Sequence, residues 1–196
     1  MHFRMHLEGT TALLMHNPRM VDPNYELNRK IKELTKKKKK TDDDLHNIEW
    51  LEWLGGLYTA GLNGEQRLVQ PTSKVRKCFI EAARITKEGK QVERALSFPD
   101  LENDLAYDGP RELKELFATG RHISRLPVVV SQKRIMRARP SFLPWKMSPR
   151  GILIPDAGLN PEDFERIAVL GGEAIGIGDN RINGYGRFKV IIEWLD

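Results

Sequence analysis

The sequence predicts an α+β fold in which two principal helices cover an antiparallel sheet. Three observations carry that prediction. Near the start, Phe3, Met5 and Leu7 alternate with Arg4, His6 and Glu8, the period of a strand with one buried face. Near the end, Phe188, Val190, Ile192 and Trp194 alternate with Arg187, Lys189 and Glu193 in the same way. Between them, two stretches led by Thr72-Ser73 and Asn160-Pro161 carry apolar residues at helical spacing.

In chain order, Gly9 marks a bulge after the first strand, which residues 10–16 continue. Residues 17–54 read as an insertion. A charged helix over 24–40 has Leu27, Ile31 and Leu34 as a narrow apolar stripe and ends in five consecutive lysines, 36–40, before Thr41-Asp42-Asp43-Asp44. That run is either a solvated helix end or a basic arm that touches phosphate. Asp44 leads a short helix over 45–54, packed through Ile48, Trp50 and Leu51. Residues 55–60 and 66–69 flank the turn-former Gly61-Leu62-Asn63-Gly64, which reads as a hairpin or as a loop into the next helix.

Thr72 or Ser73 caps that helix, and Val75, Phe79, Ala82 and Ala83 bury it. Cys78, beside Phe79 on the apolar face, belongs to the core. The other face carries Lys74, Lys77 and Arg84, interrupted by Glu81. Residues 88–120 form a second insertion, with a strand over 91–98, an acidic turn-rich stretch over 100–110 and a helix over 111–118 that ends at Gly120.

From 116 to 155 there is no acidic residue but eight basic ones. Read as one strand, residues 128–139 place Lys133, Arg137 and Arg139 on one face and Arg134 on the other, with Phe142 and Trp145 following. Basic side chains interleaved with aromatics suit single-stranded nucleic acid, because phosphates meet the charges while bases stack. A strand over 152–154 precedes the last helix, where Asn160 caps, Pro161 starts, and Phe164, Ile167, Ala168 and Gly171 share a face. These elements give a ferredoxin-like or RRM-like core ordered β–α–β–β–α–β. The whole chain, 1–196, is a single domain with insertions at 17–54 and 88–120.

The loop from helix to closing strand has the most distinctive chemistry. Between Gly171 and Phe188 it holds Gly176, Gly178, Gly184 and Gly186 with Arg181 and Arg187. Glycine allows positive φ and close backbone approach to a ligand, and arginine binds phosphate through a planar fork. The alternative is a tight connection with no ligand. The order helix, loop, strand excludes a dinucleotide fingerprint, and no Gly-Lys-Ser/Thr follows to make a phosphate-binding P-loop.

Composition bounds the partners. A net charge of +5 and a pI near 9.3 favour a polyanion, over a chain that is 40% hydrophobic and 30% charged. A single cysteine excludes a disulfide framework, and no pair of Cys or His stands at metal-ligand spacing, so neither metal nor cofactor is expected. No stretch approaches the ~20 apolar residues of a membrane span, and the N-terminus has no signal-peptide core, so a cytoplasmic location is expected.

The motif Gly176-Ile177-Gly178-Asp179-Asn180-Arg181-Ile182-Asn183-Gly184-Tyr185-Gly186-Arg187-Phe188, between a helix and a closing strand, resembles the C-terminal glycine-rich loop of the RAMP superfamily. These are ferredoxin-like proteins of CRISPR effector complexes, with relatives in phage genomes. Val69-Gln70-Pro71-Thr72-Ser73-Lys74-Val75-Arg76-Lys77 resembles the entry to the family's first helix. Residues 134–145, Arg134 to Trp145, resemble a strand and tryptophan turn of phage-type members.

The resemblance implies non-catalytic binding of RNA or single-stranded DNA, self-association along the strand as an oligomer or filament, an insertion that protrudes as a thumb, and, for a phage protein, the host cytoplasm. Gly176, Gly178, Gly184, Gly186, Arg181 and Arg187 would grip the backbone, Lys74, Lys77 and Arg84 the next phosphates, and Lys133, Arg134, Arg137 and Arg139 the face. Two alternatives stand beside this reading. One is a metal-independent endoribonuclease of the CRISPR-RNA-processing kind, with His6, His16 or His122 as general acid or base. The other is a protein-binding module acting on host or CRISPR-type complexes.

Overall fold

Strand β1 (His2–Gly9) buries Phe3, Met5 and Leu7 and exposes His2, Arg4, His6 and Glu8, the alternation that its sequence predicts. The structure is a computed structural model that describes residues 1–62, 65–130 and 132–195, with the backbone alone for Leu62, Glu65, Val129, Val130 and Lys133. After β1 come β2 (Leu13–Leu14), α1 (Glu26–Lys36), α2 (Asp42–Gly56), β3 (Thr59–Leu62) and β4 (Glu65–Pro71). Helices α3 (Thr72–Ile85) and α4 (Gly89–Ala95) precede the short strands β5 (Leu96–Ser97), β6 (Glu102–Asp104) and β7 (Ala106–Tyr107). Then follow α5 (Leu113–Ala118), β8 (Ile123–Val130), β9 (Lys133–Phe142), β10 (Trp145–Met147), β11 (Arg150–Leu153), α6 (Pro161–Leu170) and β12 (Phe188–Leu195). The chain divides into two compact units, one of Met1–Leu13, Thr59–Asp108 and Phe142–Asp196, the other of Leu14–Tyr58 and Gly109–Ser141.

In the first unit, β1 is central. It pairs along its whole length with β12, from His2 opposite Leu195 to Gly9 opposite Phe188. Its other edge is shared by β11, against residues 2–4, and β10, against residues 7–8, with the Met5 N–H donating to the Pro149 carbonyl between them. Outside these lie β5 against β11 and β7 against β10. All of these pairings are antiparallel. With α3 and α6 as the two crossover helices, this order is compatible with the ferredoxin-like α+β core that the sequence predicts.

The apolar face of β1 meets both helices through aromatic edges. Phe3 lies 5.2 Å from Phe164 of α6, which lies 5.7 Å from Phe79 of α3. Phe3, Phe79, Phe164 and Phe188 are at most 1% exposed, and each such ring contributes roughly 2–3 kcal/mol by burial. Cys78 is fully buried in the same core, its thiol donating to the Gly171 carbonyl at 3.2 Å, and burial pushes its pKa up to about 12. A smaller sheet of β3, β4 and β6 completes the unit. The Asn63-Gly64 turn expected between β3 and β4 lies outside the described residues.

In the second unit, α2 starts with a reciprocal cap: the Thr41 hydroxyl accepts from the Asp44 N–H, and the Asp44 carboxylate accepts from the Thr41 N–H. Its apolar side stacks Trp50 on Trp53, and both meet Phe117 of α5. The Trp53 indole donates to the His122 carbonyl at 2.7 Å, so the buried ring leaves no orphan donor. Carboxylates of α2 then hold the β8–β9 hairpin. Glu49 takes both guanidinium arms of Arg125, and Glu52 accepts from Arg137 and, at 3.0 Å, from the Ala138 N–H.

Four sequence expectations change. Residues 91–98 are mostly helix, because Val92, Ala95 and Leu96 recur at helical spacing and all bury. The single strand expected over 128–139 is a hairpin, β8 against β9, with Gln132 at φ 66° beside the turn. Thr72 does not cap α3. Its hydroxyl accepts from Asn103 Nδ2 at 2.8 Å, and Pro71 stands at the cap without a side-chain bond. The first strand does not run on over residues 10–16: β1 ends at Gly9, opposite Phe188, the Thr10 and Thr11 N–H groups both donate to the Arg187 carbonyl, and the Trp145 indole lies where a Gly9 Cβ would be.

Candidate nucleic-acid interface

The loop between α6 and β12 is assembled from its backbone. After α6, residues 171–175 make a π-helical turn closed by the Gly176 N–H on the Gly171 carbonyl at 2.7 Å. The two limbs of the loop then touch, the Ile177 N–H donating to the Gly186 carbonyl at 2.9 Å. Gly186 has φ 70°, and a Cβ there would overlap the Ile177 carbonyl oxygen, so this crossing admits only glycine. Residues just after β1 anchor the base. The Thr11 hydroxyl donates to the Gly184 carbonyl at 2.8 Å and accepts from the Arg187 N–H at 2.9 Å, while the Gly186 N–H reaches the Ala12 carbonyl at 2.8 Å.

On this frame the two loop arginines face α3. Arg181 Nη1 donates to Glu81 Oε2 at 2.6 Å, and Lys77 lies 3.8 Å from the other Glu81 oxygen. Arg187 donates through Nη2 to the Arg181 carbonyl at 3.1 Å, while its Nη1 is buried against Gly176 with no hydrogen-bond partner among the described residues. Lys74 is half-buried nearby. Burial, and then the charges of Lys77 and Arg181, hold its ammonium below the usual lysine range. The loop encloses an open recess of about 670 Å³ lined by Glu81, Gly178, Asn180, Arg181 and Arg187 among others. Arg181 and Arg187 thus line the recess together with the acids Glu81 and Asp179, and Lys77 and Lys74 stand beside the Arg181–Glu81 pair. Arg84, farther along α3, pairs with Glu93 of α4 at 3.6 Å.

Gly176 and Gly186 stand where the loop packs on itself. Their missing side chains make room for the loop's own backbone and for Arg187. Gly178 and Gly184 also hold positive φ, at 85° and 84°, and a Cβ at Gly184 would meet open space.

The basic residues of 133–139 belong to the second unit. Arg134 is exposed, Arg137 is bound by Glu52, and Arg139 is half-buried; the Lys133 side chain lies outside the described residues. Phe142 and Trp145 are fully buried, so neither is available to stack on a base. The tryptophan N–H is spent on the Thr11 carbonyl at 2.9 Å.

His6 lies on the outer face of β1, its Nε2 3.3 Å from Glu193 and its Nδ1 3.5 Å from the Ser148 hydroxyl. His16 and His122 are in the second unit, His16 exposed and His122 buried with Nδ1 3.3 Å from the Ser141 carbonyl. Among the described residues, no group of three His, Cys, Asp or Glu is placed to hold a metal ion, and no helix is long and apolar enough to cross a membrane. Sequence reasoning missed Glu81 as the hub and Thr11 as the anchor. The signal for Glu81 was present: it is the lone acid on an otherwise basic helix face. No protein-family model matches the chain, and no curated protein matches it.

Proposed function

We propose that this protein is a non-catalytic, RAMP-like binder of RNA or single-stranded DNA, and that the recess between α3 and the glycine-rich loop receives the phosphate backbone. The observation that carries the reading is that Arg181 and Arg187 line that recess beside Glu81 and Asp179, while Lys77 lies 3.8 Å from Glu81 and the charges of Lys77 and Arg181 act on Lys74. Lys74 is held among like charges in a half-buried position, a state that a bound phosphate relieves. Self-association along a strand and a phage setting in a host cytoplasm rest on the resemblance of the loop motif.

Lys74→Ala with Lys77→Ala tests this directly, because both ammonium groups lie on the outer side of α3 rather than in its core. Fluorescence anisotropy with a labelled single strand is expected to show weaker binding, and the slope of log affinity against log salt is expected to fall by about 1.4, two phosphates at ~0.7 each. Unchanged affinity and slope would refute the site.

A second reading, metal-independent RNA cleavage, is favoured by one arrangement. His6 sits between the Glu193 carboxylate and the Ser148 hydroxyl, so an acid orients the imidazole. Loss of divalent-independent cleavage in His6→Ala would establish it, and a wild type that leaves labelled RNA intact would remove it.

A further inference from the structure

Strand β12 forms one edge of the main sheet. Among the described residues its one strand partner is β1, so its far side carries no ladder. In an antiparallel pair, opposed residues exchange both backbone bonds or neither. Met5 stands opposite Ile192 but donates its N–H to Pro149 on the other side, while Thr10 donates to Arg187. The odd-numbered residues of β12 therefore bond to β1, and Val190, Ile192 and Trp194 turn their N–H and carbonyl groups outwards. Burial agrees. Val190, Ile192 and Trp194 are only half-buried although they face the helices, whereas Phe3, Met5 and Leu7 of β1 are at most 1% exposed.

An open edge of this length invites further pairing, and charged side chains commonly guard such edges. Here the charges are arranged symmetrically. Lys189 and Glu193 are exposed on the outer face and flank Ile191, which is 70% exposed. His6 approaches one Glu193 oxygen at 3.3 Å, and that half-exposed pair leaves the carboxylate open to a second cation.

When a second β12 lies antiparallel with Ile191 opposite Ile191, Lys189 of each copy faces Glu193 of the other. The same register sets Val190 opposite Ile192, both with outward backbone groups, as a hydrogen-bonded pair requires. A slip of one residue opposes outward groups to inward ones. A slip of two in either direction puts Glu193 or Lys189 against Ile191 and loses both charge pairs. At the start of the strand the Phe188 carbonyl lies where a Gly172 Cβ would be, so the pairing runs over residues 189–193.

We propose that β12 pairs with β12 of a second copy of this chain, joining two sheets into one across a two-fold axis. Val190 and Ile192 supply the backbone ladder, Ile191 packs on its own counterpart, and the Lys189–Glu193 pairs fix the register. A two-fold contact of this kind closes at two copies and needs no nucleic acid. It therefore differs from association along a strand, and it does not depend on the glycine-rich loop.

The experiment is sedimentation velocity of the full chain, nuclease-treated so that no strand can act as a scaffold, over a concentration series. The wild type is expected to show a monomer–dimer equilibrium with no larger species. Lys189→Glu and Glu193→Lys are each expected to raise the dissociation constant at least about tenfold, because both facing pairs become like-charged. An equimolar mixture of the two variants is expected to associate again, since every facing pair in the mixed dimer is of opposite sign. Both positions are exposed, and recovery in the mixture shows in addition that each variant is folded. The Lys74→Ala, Lys77→Ala protein should dimerise as the wild type does, whatever becomes of its nucleic-acid binding. A wild type that stays monomeric, a dimer indifferent to the single reversals, or variants that stay apart when mixed would overturn the proposal.

Discussion

Arg181 and Glu81, 100 positions apart in sequence, form an ion pair at 2.6 Å that ties the glycine-rich loop to α3. Both side chains are about a quarter exposed, 27% and 25%, so the pair is screened less than a surface one. It has two consequences. It fixes the loop, and it places a carboxylate where the proposed ligand would put a phosphate.

Glu81→Gln should separate those roles. Without the carboxylate, Arg181 and Lys77 are released towards an incoming phosphate. Affinity for a single strand should rise about fivefold, the ~1 kcal/mol that one charge exerts at ~4 Å in water. Stability should fall by ~1–3 kcal/mol, because Arg181 loses a charged partner in a partly buried position. Anisotropy and urea unfolding read the two effects separately. Weaker binding would mean that Glu81 serves only to shape the loop.

Two glycines of the loop should behave differently. Gly186→Ala forces a methyl group into the Ile177 carbonyl at a left-handed position, and should destabilise the fold by ~2–4 kcal/mol. Gly184→Ala meets only the conformational cost of φ 84°, ~1–2 kcal/mol, because nothing lies within reach of its Cβ. Chemical denaturation of the two variants gives the ranking. Equal losses would contradict the crossing of the loop limbs.

How much of this was legible depended on the distance over which residues act. The strands β1 and β12 and the helices α3 and α6 were readable because period and capping are local; Asn160, for example, accepts from the Asp163 N–H at 2.8 Å as its position predicts. Residues 91–98 misled because Val92, Leu96 and Phe98 fit an alternating pattern as well as a helical one. Phe142 and Trp145 were read as aromatics beside a basic strand, yet both are core residues, since which face of a strand is covered depends on elements far away in sequence. The candidate site was half visible. Its cations could be counted from the sequence, but the Glu81 pairing and the anchoring by Thr11 span 100 and 176 positions and leave no local trace.

Acid should act on the start of α2. The hydrogen bond from Lys37, and then that from the Thr41 N–H, hold Asp44 below its ordinary 3.8. A carboxylate with a depressed folded pKa stabilises above its unfolded value and loses that contribution as pH falls through the folded one. The melting temperature of the wild type should therefore decline below about pH 4. Asp44→Asn should lower it at neutral pH and flatten that part of the decline. An unaltered acid slope in Asp44→Asn would show that the cap does not contribute.

The central claim is that the cluster of Lys74, Lys77, Arg181 and Arg187 is a phosphate-backbone site for single-stranded nucleic acid. Fluorescence anisotropy of labelled single-stranded RNA, single-stranded DNA and duplex, each over a series of salt concentrations, tests it most directly. The account predicts single strands bound several-fold more tightly than duplex, with log affinity falling linearly as log salt rises. Binding that is absent, or that does not respond to salt, would contradict it.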